Sequence, residues 1–111
     1  MNDLINKWLY DILESINSIN EYIGDQKYFD VYENNKQLRR SVEREIEIIG
    51  EAISRIKKEN PKIKINNSHQ IIATRNRVAH AYDAVDNAII WGIVINHLPS
   101  LKIEVTQMLD S

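Results

Sequence analysis

Apolar residues return every three or four positions along most of this 111-residue chain, and this spacing is typical of amphipathic helices. The spacing predicts four helices: Asp3 to Tyr22, Glu33 or Lys36 to Lys58, Ser68 to at least Tyr82, and Asp83 or Val85 to Leu109. The inward face of the fourth helix is predicted to be Ile89, Ile93, Leu98, Leu101, Val105 and Met108. Between the first two helices, residues 25–33 are too apolar for a solvated linker, so we expect a packed or helical turn there.

Glycine and proline positions refine this pattern. Gly24 ends the first helix and Pro61 follows the second, while Pro99 must kink or break the last one because proline donates no helical hydrogen bond. Gly50 interrupts the second helix, which indicates either the close approach of another backbone or a tolerated glycine. Long helices with short connections predict an all-α, antiparallel four-helix bundle with a short extra turn and a proline-kinked last helix, in a single domain over residues 1–111.

The composition narrows the class of protein without identifying a function. A formal net charge of -2 and a pI near 5.9 exclude a strongly basic protein that coats nucleic acid, so any RNA contact must be local. The absence of cysteine excludes disulfides, thiolate metal sites and cysteine nucleophiles. Because the sequence has no secretory signal and no uncharged apolar stretch of about 20 residues, we expect a cytoplasmic protein without a membrane span.

Candidate chemistry is concentrated in one octet, Arg75-Asn76-Arg77-Val78-Ala79-His80-Ala81-Tyr82. Guanidinium groups bind phosphate oxygens and an imidazole moves a proton near neutral pH, so the octet suits cleavage of a phosphodiester. On RNA, His80 would take the 2'-hydroxyl proton or protonate the leaving oxygen while Arg75 stabilises the phosphate charge. This route leaves a 2',3'-cyclic phosphate and uses no metal or other cofactor. Three scattered histidines indicate no metal site.

Helical geometry separates the two main candidates. At 100° per residue, Arg75 and His80 lie about 140° apart on one helix, whereas Asn76 and His80 lie within about 40°. Arg75 therefore meets His80 only through its own reach, a distorted helix end or a second subunit. A homodimer whose third helices face each other across a cleft would bring two copies of both residues together.

Simpler interpretations of the polar residues stay open. Arg-x4-His spacings also arise by chance, and Arg77 and His80 can be solvated surface residues, as His69 and His97 are expected to be structural or exposed. The glutamates of the second helix are interpreted as a solvated face: Glu43, Glu45, Glu47 and Glu51. Four lysines near the polar loop form a patch that is either an RNA entry surface or a soluble helix end: Lys57, Lys58, Lys62 and Lys64.

The octet contains an Arg-x4-His-x-Tyr signature, and through it the chain resembles the HepT-like proteins of the HEPN superfamily. The similarity extends to the Ile-Gly-Glu-Ala segment at residues 49–52 and to residues 91–101 of the last helix. Two positions depart from the family's pattern. Ala81 stands where glycine is frequent, and Asp83 stands where an aromatic residue is common.

This resemblance implies an all-helical homodimer that is a metal-independent ribonuclease and the toxin of a type VII-like toxin–antitoxin pair. It implies that Arg75 and His80 are the catalytic residues, and we expect Asn76 to support the site by hydrogen bonding to His80 or phosphate. The cognate antitoxin would be a minimal nucleotidyltransferase, similar to MntA, which inactivates the toxin by transferring AMP to Tyr82. The alternative is a non-catalytic helical dimer that binds a nucleotidyltransferase or RNA.

Overall fold

The computed structural model describes residues 2–25, 27–80 and 86–111. Six helices lie in these ranges: α1 (Asp3–Ile23), α2 (Phe29–Glu33), α3 (Lys36–Glu59), α4 (Ser68–His80), α5 (Asn87–Asn96) and α6 (Leu98–Leu109). The predicted all-α architecture is therefore confirmed. The predicted extra turn is α2, and α1, α3 and the start of α4 lie close to their predicted positions.

Local capping explains where the two longest helices begin and where the first one ends. Asn2 Oδ1 accepts a hydrogen bond of 2.8 Å from the Ile5 N–H, and Asn35 Oδ1 accepts one of 3.0 Å from the Leu38 N–H. Each bond satisfies a backbone donor that has no partner within its helix. Gly24 ends α1 with a φ of 68°, a left-handed conformation that glycine adopts without strain.

The helices pack in the order α4, α3, α1, α6 and α5, each against the next, and α5 also contacts α4. The apolar stripes of α1 and α3 form the centre of the core, and isoleucine fills most of it. The largest fully buried aliphatic side chains are Leu9, Ile12, Ile16, Ile19, Ile46, Ile49, Ile53, Ile56, Ile71, Ile90 and Leu101. Tyr32 of α2 is also buried, and its ring packs against Trp91 with ring centroids 5.2 Å apart. The short α2 thereby ties α5 to the rest of the bundle.

The predicted fourth helix is two helices, α5 and α6, bent by 46°. Pro99 lies in the first turn of α6, where its missing N–H removes no helical hydrogen bond. Ile89, predicted to face inward, is 37% exposed, while Ile90 is fully buried. The prediction is wrong at Ile89 because it continues the stripe of one straight helix through the bend. No single helix in the described ranges is long and apolar enough to cross a membrane, although α5 and α6 taken together across their bend pass that test of length and composition.

Candidate active site

The candidate catalytic residues lie on α4, which packs against α3 and also contacts α5. Arg75, Asn76 and His80 belong to this one helix, which the structure describes as far as His80. The predicted continuation of this helix to Tyr82 and the predicted start of the next one at Asp83 or Val85 lie outside the described residues. Tyr82 lies in residues 81–85, outside the described part of the chain, so its modification stays a prediction.

Arg75 is positioned by an unusually close contact between α4 and α3. A Cβ atom built on Gly50 would lie 2.3 Å from Arg75 Cβ and 2.6 Å from Arg75 Cγ, and 3.5 Å from the Ile71 carbonyl oxygen. Carbon atoms in contact normally lie about 3.5–4.0 Å apart, so only glycine fits at this point of α3. A close approach is predicted at Gly50, but the atoms that come too close for a side chain there are Arg75 side-chain carbons, whereas the nearest backbone atom, the Ile71 carbonyl oxygen, lies at an ordinary contact distance. What the sequence does not show is that Arg75 occupies the space.

The Arg75 guanidinium is held beside its neighbour in the chain. Arg75 Nη1 donates a hydrogen bond of 3.1 Å to Asn76 Oδ1, in an exposed position. Arg75 Nε is buried and has no hydrogen-bond partner within the described ranges. The stem of Arg75 is thus packed on α3 while one end of its fork reaches the surface. Asn76, expected to hydrogen bond to His80 or phosphate, makes its described side-chain bond with Arg75.

The glutamates of α3 match the predicted solvated face only in part. Glu51 Oε1 and Arg55 Nη2 form an exposed pair at 2.6 Å, one helical turn apart, as that interpretation requires. Glu45, however, accepts a hydrogen bond of 3.2 Å from the Tyr22 hydroxyl of α1. Burial raises the pKa of Glu43 above its ordinary value. Glu45 therefore contacts another helix and Glu43 is partly buried, so these two carboxylates are not simply solvated.

A groove of about 330 Å³ separates α4 from α5. Its walls include Gln70, Thr74 and Arg77 from α4, and Ile89 and Gly92 from α5. The α5 segment has no charged residue, yet it leaves Ile89 exposed, because its apolar residues surround the whole helix. An uncharged, partly exposed helix thus lies beside the helix that carries the candidate catalytic residues. This surface was missed in the sequence because the break before α6 determines which face of α5 is outside.

An all-α bundle that carries Arg-x4-His at the end of one helix is the architecture of a HEPN-like protein. The family model described as Ribonuclease HepT-like matches residues 12–108. The protein named Putative RNase MJ1380, of Methanocaldococcus jannaschii, is 38% identical over 103 residues, which cover 91% of this chain and 93% of that protein. Probable ribonuclease HepT of Thermococcus cleftensis is 33% identical over 99 residues, 86% of each chain. No solved structure matches the chain. The chain belongs to the HepT-like ribonuclease family, as its resemblance predicted.

Proposed function

We propose that this protein is an endoribonuclease whose catalytic residues are Arg75 and His80. The observation that carries the proposal is the close packing of Arg75 Cβ and Cγ against Gly50 of α3. This contact fixes the aliphatic part of the side chain, so the guanidinium is positioned to bind a phosphate. Family membership supports the same activity. Asn76 supports the site by holding one nitrogen of the Arg75 fork at the surface.

The proposed reaction uses the substrate's own 2'-hydroxyl. His80 accepts the hydroxyl proton, the 2'-oxygen attacks phosphorus, and the bond from phosphorus to the 5'-oxygen breaks. The leaving oxygen takes a proton from water. Arg75 stabilises the additional negative charge on the phosphate in the transition state. The products are a 2',3'-cyclic phosphate and a free 5'-hydroxyl, and DNA is not cleaved because it lacks the nucleophile.

A homodimer completes this site. Positions 75 and 80 of an ideal helix are about 140° apart, so a second copy of the helix across a cleft would supply the missing group to each half-site. The uncharged outer surface of α5 beside α4 supports this arrangement, because it exposes apolar area where a second copy would cover it.

Mixing two inactive variants tests the shared site. If Arg75 of one copy acts with His80 of the other, a mixture of Arg75→Ala and His80→Ala contains heterodimers with one intact site. Random exchange of subunits would then restore about a quarter of the wild-type rate, because half the dimers carry one of two sites. No restored activity in a mixture shown to exchange subunits would overturn the shared site.

The ribonuclease proposal is tested first in the cell. Expression of the wild type should degrade RNA and slow growth, whereas His80→Ala should do neither. His69→Ala, which changes an exposed histidine in the first turn of α4, is the matched control and should behave as the wild type. Intact RNA with an unmodified wild-type protein would contradict catalysis. A stable RNA complex without cleavage would instead support the non-catalytic dimer.

We further propose that the protein is a toxin that is inactivated by modification of Tyr82. A nucleotidyltransferase partner would join the Tyr82 oxygen to the α-phosphorus of ATP, releasing pyrophosphate and placing bulk and negative charge two residues from His80. Co-expression with a neighbouring minimal nucleotidyltransferase should add AMP-sized mass increments to the intact protein. Increments that persist in Tyr82→Phe would rule out this tyrosine.

A further inference from the structure

Lysines predominate among the charged residues of one segment that leads into α4. Residues 55–69 contain five lysines and arginines and a single glutamate, although the whole chain has 14 basic and 16 acidic residues. Four of the five are defined here as the lysine cluster: Lys57, Lys58, Lys62 and Lys64. The protein therefore has a local positive field in spite of its net charge of -2.

The fold displays the lysine cluster on the outside. Ile63 is half-buried and Ile65 is buried, whereas Lys62 and Lys64, which alternate with them, are exposed. Anchoring of the two isoleucines therefore directs both lysines outward. Lys57 and Lys58, also exposed, lie in the last turn of α3, where the helix dipole favours cations. The dipole accounts for those two lysines but not for the pair in the loop.

Neighbouring carboxylates only partly offset this charge. Glu59 lies in the same segment, and Glu104 of α6 accepts a hydrogen bond of 3.1 Å from the Asn66 N–H. The ion pairs found within the described ranges are Lys7–Asp11 and Arg55–Glu51, so neither involves the cluster. Four cations thus face two acids, which leaves a net positive surface.

One side of α4 joins the lysine cluster to the candidate active site. Lys57 Nζ lies 3.4 Å from Ser68 Oγ, which places the cluster at the first turn of α4. Ideal helix geometry places Ser68 and Arg75 within about 20° of each other around the axis, and Arg75 lies about 10 Å further along the helix. The cluster and the candidate catalytic arginine are therefore at two points of the same side of α4.

We infer that the lysine cluster is a docking surface for the single-stranded RNA that the protein cleaves, binding its phosphates while the chain runs along α4 to Arg75. This inference rests on the proposed ribonuclease function. Lysine ammonium groups bind phosphates as point charges without reading sequence, so the surface contributes affinity for long RNA rather than base specificity. A dinucleotide at the active site is too short to reach it.

The eight lysines of the chain provide a matched test. The cluster variant replaces Lys57, Lys58, Lys62 and Lys64 by glutamine, and the control variant replaces the other four, which are also exposed: Lys7, Lys27, Lys36 and Lys102. Both variants have the same net charge. The affinity of each for a 20-nucleotide RNA made resistant to cleavage by 2'-O-methyl groups is measured against salt concentration.

The cluster variant should bind this RNA at least about tenfold more weakly than the wild type at low salt. The slope of log affinity against log salt concentration should become less steep by up to about 3 in the cluster variant. Each contact with a single-strand phosphate contributes about 0.7 to this slope, and the variant removes four lysines. With cleavable substrates, KM for the 20-nucleotide RNA should rise while kcat for a dinucleotide stays unchanged. The control variant should stay within about twofold of the wild type in both assays.

Equal losses in the two variants would mean a general charge effect and would overturn the docking surface, as would unchanged RNA binding by the cluster variant. Failure of the proposed function has a different signature, because the wild type would then cleave neither substrate. Binding of the resistant RNA reports on the docking surface in either case. If the wild type does not bind it, the docking surface for RNA is excluded and the cluster would have to serve another partner.

Discussion

Replacing Gly50 by alanine changes the packing contact that positions Arg75 and leaves the arginine itself unchanged. The added methyl group would lie 2.3 Å from Arg75 Cβ. That atom is bonded to the α4 backbone and cannot rotate away, so α4 must move by about 1 Å to restore an ordinary contact. The substitution thus displaces the proposed catalytic arginine and leaves its chemistry intact.

Two opposing contributions determine the effect on stability. Alanine in a helix interior is favoured over glycine by about 1 kcal/mol, whereas overpacking a well-packed site costs about 1–3 kcal/mol. Because the contact is far shorter than a normal one, we expect the overpacking cost to be near its upper end. Gly50→Ala should therefore lower the free energy of unfolding by about 1–2 kcal/mol. A displacement of about 1 Å should also lower kcat on RNA at least about tenfold, measured well below the Tm of both proteins.

A double-mutant cycle in urea isolates the contact. Gly50→Ala should remain destabilising when combined with Arg75→Ala, because that variant keeps the Cβ atom. It should become neutral or stabilising when combined with Arg75→Gly, which removes the Cβ. A rise in stability on Gly50→Ala alone, or a cost that Arg75→Gly does not relieve, would refute the close contact as the reason for the glycine.

Two further predictions concern the fold. Ile53→Ala, in the fully buried stripe of α3, should lower the free energy of unfolding in urea by about 2–5 kcal/mol. Ile103 is 61% exposed, so Ile103→Ala should change this free energy by no more than about 0.5 kcal/mol, and equal effects of the two substitutions would contradict the described core. Since burial raises the pKa of Glu43, protonated Glu43 favours the fold and this contribution is lost as pH rises through the raised pKa. Glu43→Gln should therefore raise the Tm at pH 7 but not near pH 4, with Glu14→Gln on the exposed face of α1 as the control; a lower Tm at pH 7 would contradict it.

The sequence predicts this fold well where a single helix determines the pattern. The isoleucine stripes of α1 and α3 are long and regular, so their helices and buried faces follow from spacing alone. Pro99 indicates a break in the last helix, but its direction depends on packing between α5 and α6. That is why the burial of Ile90 instead of Ile89 could not be predicted from periodicity.

In the candidate site, too, the sequence indicates local features but not the contacts between helices. Gly50 indicates a close approach because a glycine inside a long helix has a cost, yet its partner is 25 residues away on α4. The bond between Arg75 and Asn76 depends on the side-chain conformation that this contact imposes. The functions of His80 and Tyr82 come from the motif and stay predictions.

Cleavage of a DNA oligonucleotide that contains one ribonucleotide tests the ribonuclease proposal most directly. The wild type and His69→Ala should cut after that single ribonucleotide and leave a 2',3'-cyclic phosphate, and the all-DNA oligonucleotide should stay intact. In His80→Ala the first-order rate constant should fall at least about 100-fold, as expected on removal of a general acid–base group. An unchanged rate constant in His80→Ala would contradict the assignment of His80 as the catalytic proton carrier.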